Sequence, residues 1–274
     1  MKLSYLLILF SAAALSLHAQ GRGGSEGMRQ AIQLDLEGKT TEARVLIQKE
    51  IDTAATPQAK ASAQRSMAMS WAFDSNCAKT VEYEQLVMAY WVTRETAEPG
   101  NAFYQQGEMA TEAARVCIDS GDLDAAQKWY RRGAELGLKE PGISADRTAV
   151  WGFRLAHAEG RIAARRGDRA GVEKQIAAAK TALDAMTTSK QAQEAFLPYL
   201  TGYAALYLGD TAKAVADLEK TDPNNAFYQC LIGMAYEKQG DAAKAKEMYR
   251  KAATVNAHNP PAAFARPFAR KKLA

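Results

Sequence analysis

The sequence has few of the residues that most often carry chemistry. Its 274 residues include three histidines and three cysteines, and no CxxC pair occurs. HExxH, GxSxG and glycine-rich P-loop patterns are missing as well. The common signatures of zinc hydrolases, serine hydrolases, phosphate-binding loops and dithiol redox centres are therefore absent. We expect no catalytic residue, no cofactor and no metal.

The chain also lacks a strong excess of charge of one sign. Its formal net charge is +4, with 47% hydrophobic and 24% charged residues. Dedicated nucleic-acid binders concentrate many more basic residues on one face, so we expect no nucleic-acid partner. The period-2 alternation of strands is missing too, and alanine-rich segments with helical periodicity dominate. This composition is typical of a soluble helical protein.

The first 19 residues have the layout of a secretory signal. Lys2 precedes an apolar run from Tyr5 to Leu15, and Ala19 is the expected cleavage position. The run is shorter than the roughly 20 apolar residues that a membrane span needs. We predict a signal peptide at 1–19, no stable membrane insertion after its removal, and a periplasmic or secreted location. An uncleaved N-terminal anchor is the alternative.

The clearest internal pattern lies between residues 226 and 259. A small residue, an aromatic residue and a turn glycine are followed by a small, an aromatic and a small residue: Gly233, Tyr236, Gly240, Ala245, Tyr249 and Ala252. Small side chains let two helices approach closely, and large ones fill the gaps beside them. These residues resemble a tetratricopeptide repeat, a helical hairpin of about 34 residues. The resemblance implies a scaffold that binds a partner protein or peptide.

Similar turn glycines recur along the chain: Gly38, Gly121, Gly167, Gly209 and Gly240. Aspartate follows the last four, where it can cap the next helix. Another hairpin turn, without glycine, is predicted at 74–76. A lone hairpin cannot bury its apolar face, so neighbours must stack on it. We predict an all-α fold, a right-handed superhelical solenoid of five to six such hairpins with a C-terminal capping helix.

The predicted organisation follows these turns. A flexible leader at 20–27 precedes N-terminal hairpins at 28–136, repeats at 145–259, and a capping helix with a basic tail at 260–274. In that last helix, two phenylalanines should face inward and four basic residues should lie in water: Phe264 and Phe268, then Arg266, Arg270, Lys271 and Lys272.

Helix lengths should differ between the units. The segment NAFYQ occurs at 101–105 and at 225–229. Its phenylalanine precedes the turn glycine by 18 positions in the first copy and by 13 in the second, so the first copy should begin a longer helix. Pro198 should kink its helix unless that helix begins at Leu197.

Cys77, Cys117 and Cys230 lie in apolar helical stretches. An odd number of cysteines allows at most one internal disulfide. Buried, unbridged thiols are the expected state. A Cys77–Cys117 bridge between adjacent hairpins is the alternative.

In tetratricopeptide repeats, the first helix of each hairpin forms the concave wall. Transferred to this chain, the resemblance implies a basic row and an aromatic row on that wall: Arg154, His157, Arg161 and Arg165, then Phe196, Tyr199, Tyr203 and Tyr207. Such rows suit an extended peptide with acidic and apolar side chains. Alternatively, the tyrosines pack between repeats and the arginines are only solvated.

The resulting hypothesis is an exported scaffold that holds a partner in its concave groove, with a cell-envelope assembly as one setting. The alternative is an exported enzyme, or an enzyme subunit, whose helical scaffold carries an acid/base site. A pocket with paired, desolvated carboxyl groups would favour that alternative.

Overall fold

The structure is a computed structural model that describes residues 24–274. The signal peptide predicted at 1–19 and the first part of the leader lie outside the described residues. The leader prediction is wrong at its end, because Glu26 and Gly27 already belong to the first helix. Ser25 caps that helix by accepting a hydrogen bond from the Met28 amide at 3.0 Å.

Six helical hairpins follow one another in the described residues: α1 (Glu26–Glu37) with α2 (Thr40–Asp52), α3 (Pro57–Phe73) with α4 (Cys77–Val92), α5 (Pro99–Ser120) with α6 (Leu123–Gly137), α7 (Ala145–Arg165) with α8 (Arg169–Asp184), α10 (Leu197–Leu208) with α11 (Thr211–Leu218), and α12 (Ala226–Gln239) with α13 (Ala242–Ala253). The short α9 (Lys190–Glu194) precedes the fifth hairpin, and α14 (Pro260–Leu273) closes the chain. No strand occurs between residues 24 and 274. The predicted solenoid of helical hairpins is confirmed.

The predicted turns are confirmed as well. All five turn glycines are left-handed, with φ of 86° at Gly38, 95° at Gly121, 74° at Gly167, 91° at Gly209 and 82° at Gly240. Glycine reaches this conformation without a steric penalty, which is why it ends these helices.

The hairpin that has no turn glycine uses Ser75 instead, with φ of 55°. The aspartates that follow four of the glycines cap the next helices. Asp122 and Asp241, for example, each accept a hydrogen bond at 3.0 Å from the amide three residues later. Each cap satisfies one of the unpaired amides at a helix start.

Small residues allow neighbouring helices to approach closely, both within a hairpin and between hairpins. A Cβ atom added at Gly233 would lie 2.7 Å from Cε1 of Tyr249, so α12 and α13 meet where the repeat pattern places them. A Cβ at Gly137 would lie 2.0 Å from Cε2 of Trp151, which is buried between α6 and α7. Both contacts require glycine.

The predicted differences in helix length are confirmed. Helix α5 has 22 residues and α12 has 14. Part of this difference arises because α5 begins at Pro99, two residues earlier than the repeated segment suggests. Helix α10 begins at Leu197, so Pro198 lies in its first turn and causes no kink.

A disulfide joins Cys77, the first residue of α4, to Cys117 near the end of α5. The expectation of unbridged cysteines is therefore wrong for this pair, and the alternative bridge between adjacent hairpins is present. The remaining Cys230 is a buried free thiol, and burial raises its pKa. The second and third hairpins are thus joined covalently.

The last helix returns to the first hairpins. Helix α14 packs on α12 and α13 and also on α3 and α5. At this contact His258 Nε2 lies 2.8 Å from a carboxylate oxygen of the buried Asp35. Arg266 was predicted to lie in water, but its Nε donates a hydrogen bond to the Leu36 carbonyl at 2.6 Å. The prediction for Arg266 is wrong because α14 packs near the end of α1, where Leu36 and Ala263 belong to the same apolar cluster.

The other predictions for α14 agree with its environment. Phe264 and Phe268 are partly buried, and the Phe264 ring centroid lies 5.3 Å from that of Phe227. Arg270 and the two lysines that follow it are exposed. The apolar side of α14 therefore faces the stack of hairpins.

Candidate partner-binding site

Helix α10 packs between α7 and α12, the first helices of the hairpins before and after it. Four of the eight residues predicted for the concave wall are buried there. His157 is 7% exposed, Arg161 5%, Tyr199 3% and Tyr203 1%. Their predicted placement on an accessible wall is wrong, because the inner helices pack closely enough for their side chains to interlock.

Arg161 ties three helices together. Its guanidinium donates hydrogen bonds to the hydroxyl oxygens of Tyr199 on α10 at 2.9 Å and Tyr130 on α6 at 3.0 Å. The guanidinium carbon lies 5.3 Å from the Tyr199 ring centroid, a cation–π distance. Neither the predicted contact with a partner nor the solvated alternative describes this arginine.

The buried tyrosines pack between repeats. The ring centroid of Tyr199 lies 5.8 Å from Phe227 and 4.9 Å from Tyr228, both on α12. Burial raises the pKa of Tyr199 and Tyr203, so both hydroxyls stay protonated. For these two residues the alternative that they form inter-repeat packing is the one the structure supports.

His157 is a structural histidine. Its Nε2 atom lies 3.2 Å from the Phe196 carbonyl oxygen, which precedes α10. Burial and the charge of Arg161 hold the His157 pKa well below its ordinary value. The neutral ring therefore donates its Nε2 proton to that carbonyl and links α7 to the start of α10.

The other four predicted residues remain accessible. Phe196 is 44% exposed, and Arg154, Arg165 and Tyr207 are partly exposed. Arg154 pairs with Glu108 of α5. Arg165 donates to the Ile118 carbonyl at 2.9 Å and lies 4.8 Å from the Tyr207 ring centroid. Contact with a partner is sterically open to these four side chains.

Two further accessible residues were missed. The guanidinium carbon of Arg147 lies 5.1 Å from the Tyr104 ring centroid, and Tyr104 lies 6.0 Å from Trp151. Arg154 stacks on the same indole at 5.1 Å. Tyr104 lies in the first NAFYQ segment, which indicated a helix start and not a binding residue. We define the rim patch as Tyr104, Arg147, Arg154 and Phe196.

A pair of carboxyl groups, Glu84 and Glu112, lies between α4 and α5, but it does not form the desolvated pocket that would favour the enzyme alternative. Glu84 is fully buried, and its carboxyl oxygens have no hydrogen-bond partner among residues 24–274. Burial and the neighbouring charge of Glu112 raise its pKa well above the ordinary value. Glu112 itself binds Arg65, whose Nε donates at 3.0 Å. Because Glu84 has no exposed surface, a substrate cannot reach it in this conformation.

From residue 24 onward, no group of three or more histidine, cysteine, aspartate or glutamate side chains is arranged to hold a metal ion. No described helix combines the length and the apolar character that would let it cross a membrane.

Comparison with known families identifies one segment of this fold. Residues 228–259 match the tetratricopeptide repeat family. The matched residues comprise most of α12, all of α13 and the Gly240 turn between them. This match supports a tetratricopeptide repeat protein, and proteins of that kind act as scaffolds for protein–protein interaction. The chain has no significant match among curated proteins.

Proposed function

We propose that this protein is an exported, non-enzymatic scaffold that holds a protein or peptide partner against the rim patch. The observation that carries the proposal is the exposed Phe196 next to α7, at the accessible edge of a stack that contains a tetratricopeptide repeat. Exposed aromatic side chains and arginines are typical of the residues that contribute most to protein interfaces.

The chemistry of the rim patch suggests the character of the partner. Arg147 and Arg154 each have a carboxylate partner within the chain, Glu140 and Glu108, yet both remain partly exposed. An acidic side chain of a partner could join these pairs, and an apolar side chain could cover Phe196. The proposed partner is therefore acidic and apolar, as the sequence also suggested.

Substitution of Phe196 tests the scaffold proposal. Phe196→Asp should abolish crosslinking to the partner in cells that make the full chain, because it removes the apolar contact and repels acidic groups. Val45→Asp is the matched control, since Val45 is 67% exposed on α2, outside the inner row of helices. If wild type and Phe196→Asp crosslink to the same proteins, or if Val45→Asp is equally impaired, the rim patch is not the binding surface.

Export rests on two independent features. The first residues have the layout of a secretory signal, and the Cys77–Cys117 disulfide suits an oxidising compartment. We place the protein in the periplasm or outside the cell, with a cell-envelope assembly as its setting. Fractionation with sequencing of the mature N-terminus should find Gln20 first in the exported fraction. A full-length chain confined to the cytoplasm would refute export.

A further inference from the structure

Three arginines on the inner side have no acidic partner. Arg115 on α5 and Arg161 and Arg165 on α7 form no ion pair with any residue between 24 and 274. Arg65 and Arg154, which also lie on first helices, are each paired with a glutamate of α5. Arginines enclosed by protein normally have a carboxylate or another oxyanion as partner. The three unpaired guanidiniums therefore need an explanation.

Arg115 is the most unusual of the three. Its guanidinium makes no hydrogen bond within the described chain, and its Nε is buried without a partner. The guanidinium carbon lies 4.8 Å from the Phe227 ring centroid. Arg161 also has a buried, unpartnered Nε, although its terminal nitrogens bind two tyrosines. A buried N–H group without a partner is destabilising, so such groups are rare.

These side chains converge on one place. Arg115 stacks on Phe227, Phe227 contacts Tyr199 at 5.8 Å, and Arg161 stacks on Tyr199 at 5.3 Å. The two arginines thus lie against two different rings that contact each other. Arg165 lies one helical turn beyond Arg161 on α7.

Asp119 lies one helical turn after Arg115 on α5. Burial raises its pKa to about 6, while Arg115, Arg161 and Arg165 all act to lower it. Asp119 forms no ion pair with the described residues. Three guanidiniums and one carboxyl group leave an excess of positive charge in this cluster.

Part of the cluster is exposed to solvent. Arg115, Asp119 and Arg165 are partly exposed, as is Tyr207, whose ring lies beside Arg165. Arg161 lies deeper and is 5% exposed. A small anion could therefore enter past the exposed residues and reach the deeper guanidinium.

We propose that Arg115, Arg161 and Arg165 form a binding site for a divalent oxyanion of the phosphate or sulfate class. Such an anion would offset the charge that Asp119 leaves unbalanced, and its oxygens would accept from the unpartnered Nε–H groups of Arg115 and Arg161. The site is separate from the rim patch and does not depend on the proposed scaffold function.

Phosphate titration of the purified protein tests the proposal. Inorganic phosphate should raise Tm in a saturable manner at constant ionic strength, because an anion that binds only the folded state stabilises it. Sodium chloride at the same ionic strength should not raise Tm. Monovalent acetate should bind more weakly than phosphate. If phosphate has no effect beyond that of chloride, the site does not exist, and if acetate binds as tightly, the assignment to a divalent anion is wrong.

Variants identify the residues involved. Arg115→Gln and Arg165→Gln should each weaken phosphate binding by about tenfold or more, since a charge-assisted hydrogen bond contributes about 1.5–3 kcal/mol. Arg166→Gln is the matched control, because Arg166 is exposed and pairs with Asp124. Asp119→Asn should tighten binding by removing a competing carboxylate. Arg161 is left unchanged because it ties helices together.

The variant results can overturn the proposal in two ways. Wild-type phosphate affinity in both Arg115→Gln and Arg165→Gln would show that the anion binds elsewhere. An equal loss of affinity in Arg166→Gln would show that phosphate responds only to surface charge.

Discussion

The Cys77–Cys117 disulfide should contribute a large share of the stability of this protein. The two cysteines are 40 residues apart in sequence. Closing a loop of about 40 residues lowers the entropy of the unfolded chain by about 13 cal/mol/K, which corresponds to about 4 kcal/mol at about 25 °C. A whole domain of ordinary size has about 5–15 kcal/mol of net stability. Loss of the bridge should therefore weaken folding severely.

The perturbation is the double variant Cys77→Ser with Cys117→Ser, compared with oxidised wild type by urea unfolding followed by circular dichroism. The expected result is a free energy of unfolding lower by about 4 kcal/mol. Reductant should lower the stability of wild type by a similar amount and leave the variant unchanged, which controls for the serine substitutions themselves.

Counting thiols provides an independent check. The denatured, oxidised chain should titrate with one thiol, that of Cys230, because the sequence has three cysteines and two are bridged. Three titrating thiols in protein isolated from its own compartment would refute the bridge. A wild-type stability that does not respond to reductant would refute the energetic argument.

Three further substitutions test other parts of the structure. Glu84→Gln should flatten the pH dependence of stability. Because the pKa of Glu84 is raised, the folded state keeps its proton at pH values where the unfolded chain loses it. Wild type should therefore lose stability as pH rises above about 4.5, and the variant should not. Urea unfolding at several pH values would measure this difference. Gly137→Ala should be destabilising by about 1–3 kcal/mol, because the new methyl group would overlap Trp151. Gly100→Ala is the control: its methyl group would make only ordinary contacts, so Tm in thermal unfolding should not fall. Asp241→Ala should lower stability by about 1 kcal/mol through loss of the cap of α13, and Asp241→Asn should retain most of it; equal effects of the two would contradict the capping role.

The local features of this fold are predictable from the sequence because they depend on a few adjacent residues. Gly240 adopts a left-handed conformation and Asp241 caps the next helix without help from distant parts of the chain. Pro198 is similar, since its position in the first turn of α10 follows from its missing amide.

The candidate site was harder to predict because burial depends on distant neighbours. Arg161 lies on the expected inner side of α7, but whether it meets water or Tyr199 depends on how closely α10 packs, which no local pattern specifies. The Cys77–Cys117 pair and the docking of Arg266 on Leu36 depend on packing in the same way. The positions transferred from the family gave the wrong exposure for four of the eight residues, Arg161 among them.

The contact of α14 with α3 should change how this stack of hairpins unfolds. In a linear array, the terminal units have one neighbour each and fray before the middle does. Here the contact between His258 and Asp35 joins the two ends of the stack, so unfolding should not begin at either end. The hairpins should therefore melt in one concerted transition, as the segments of a closed loop would.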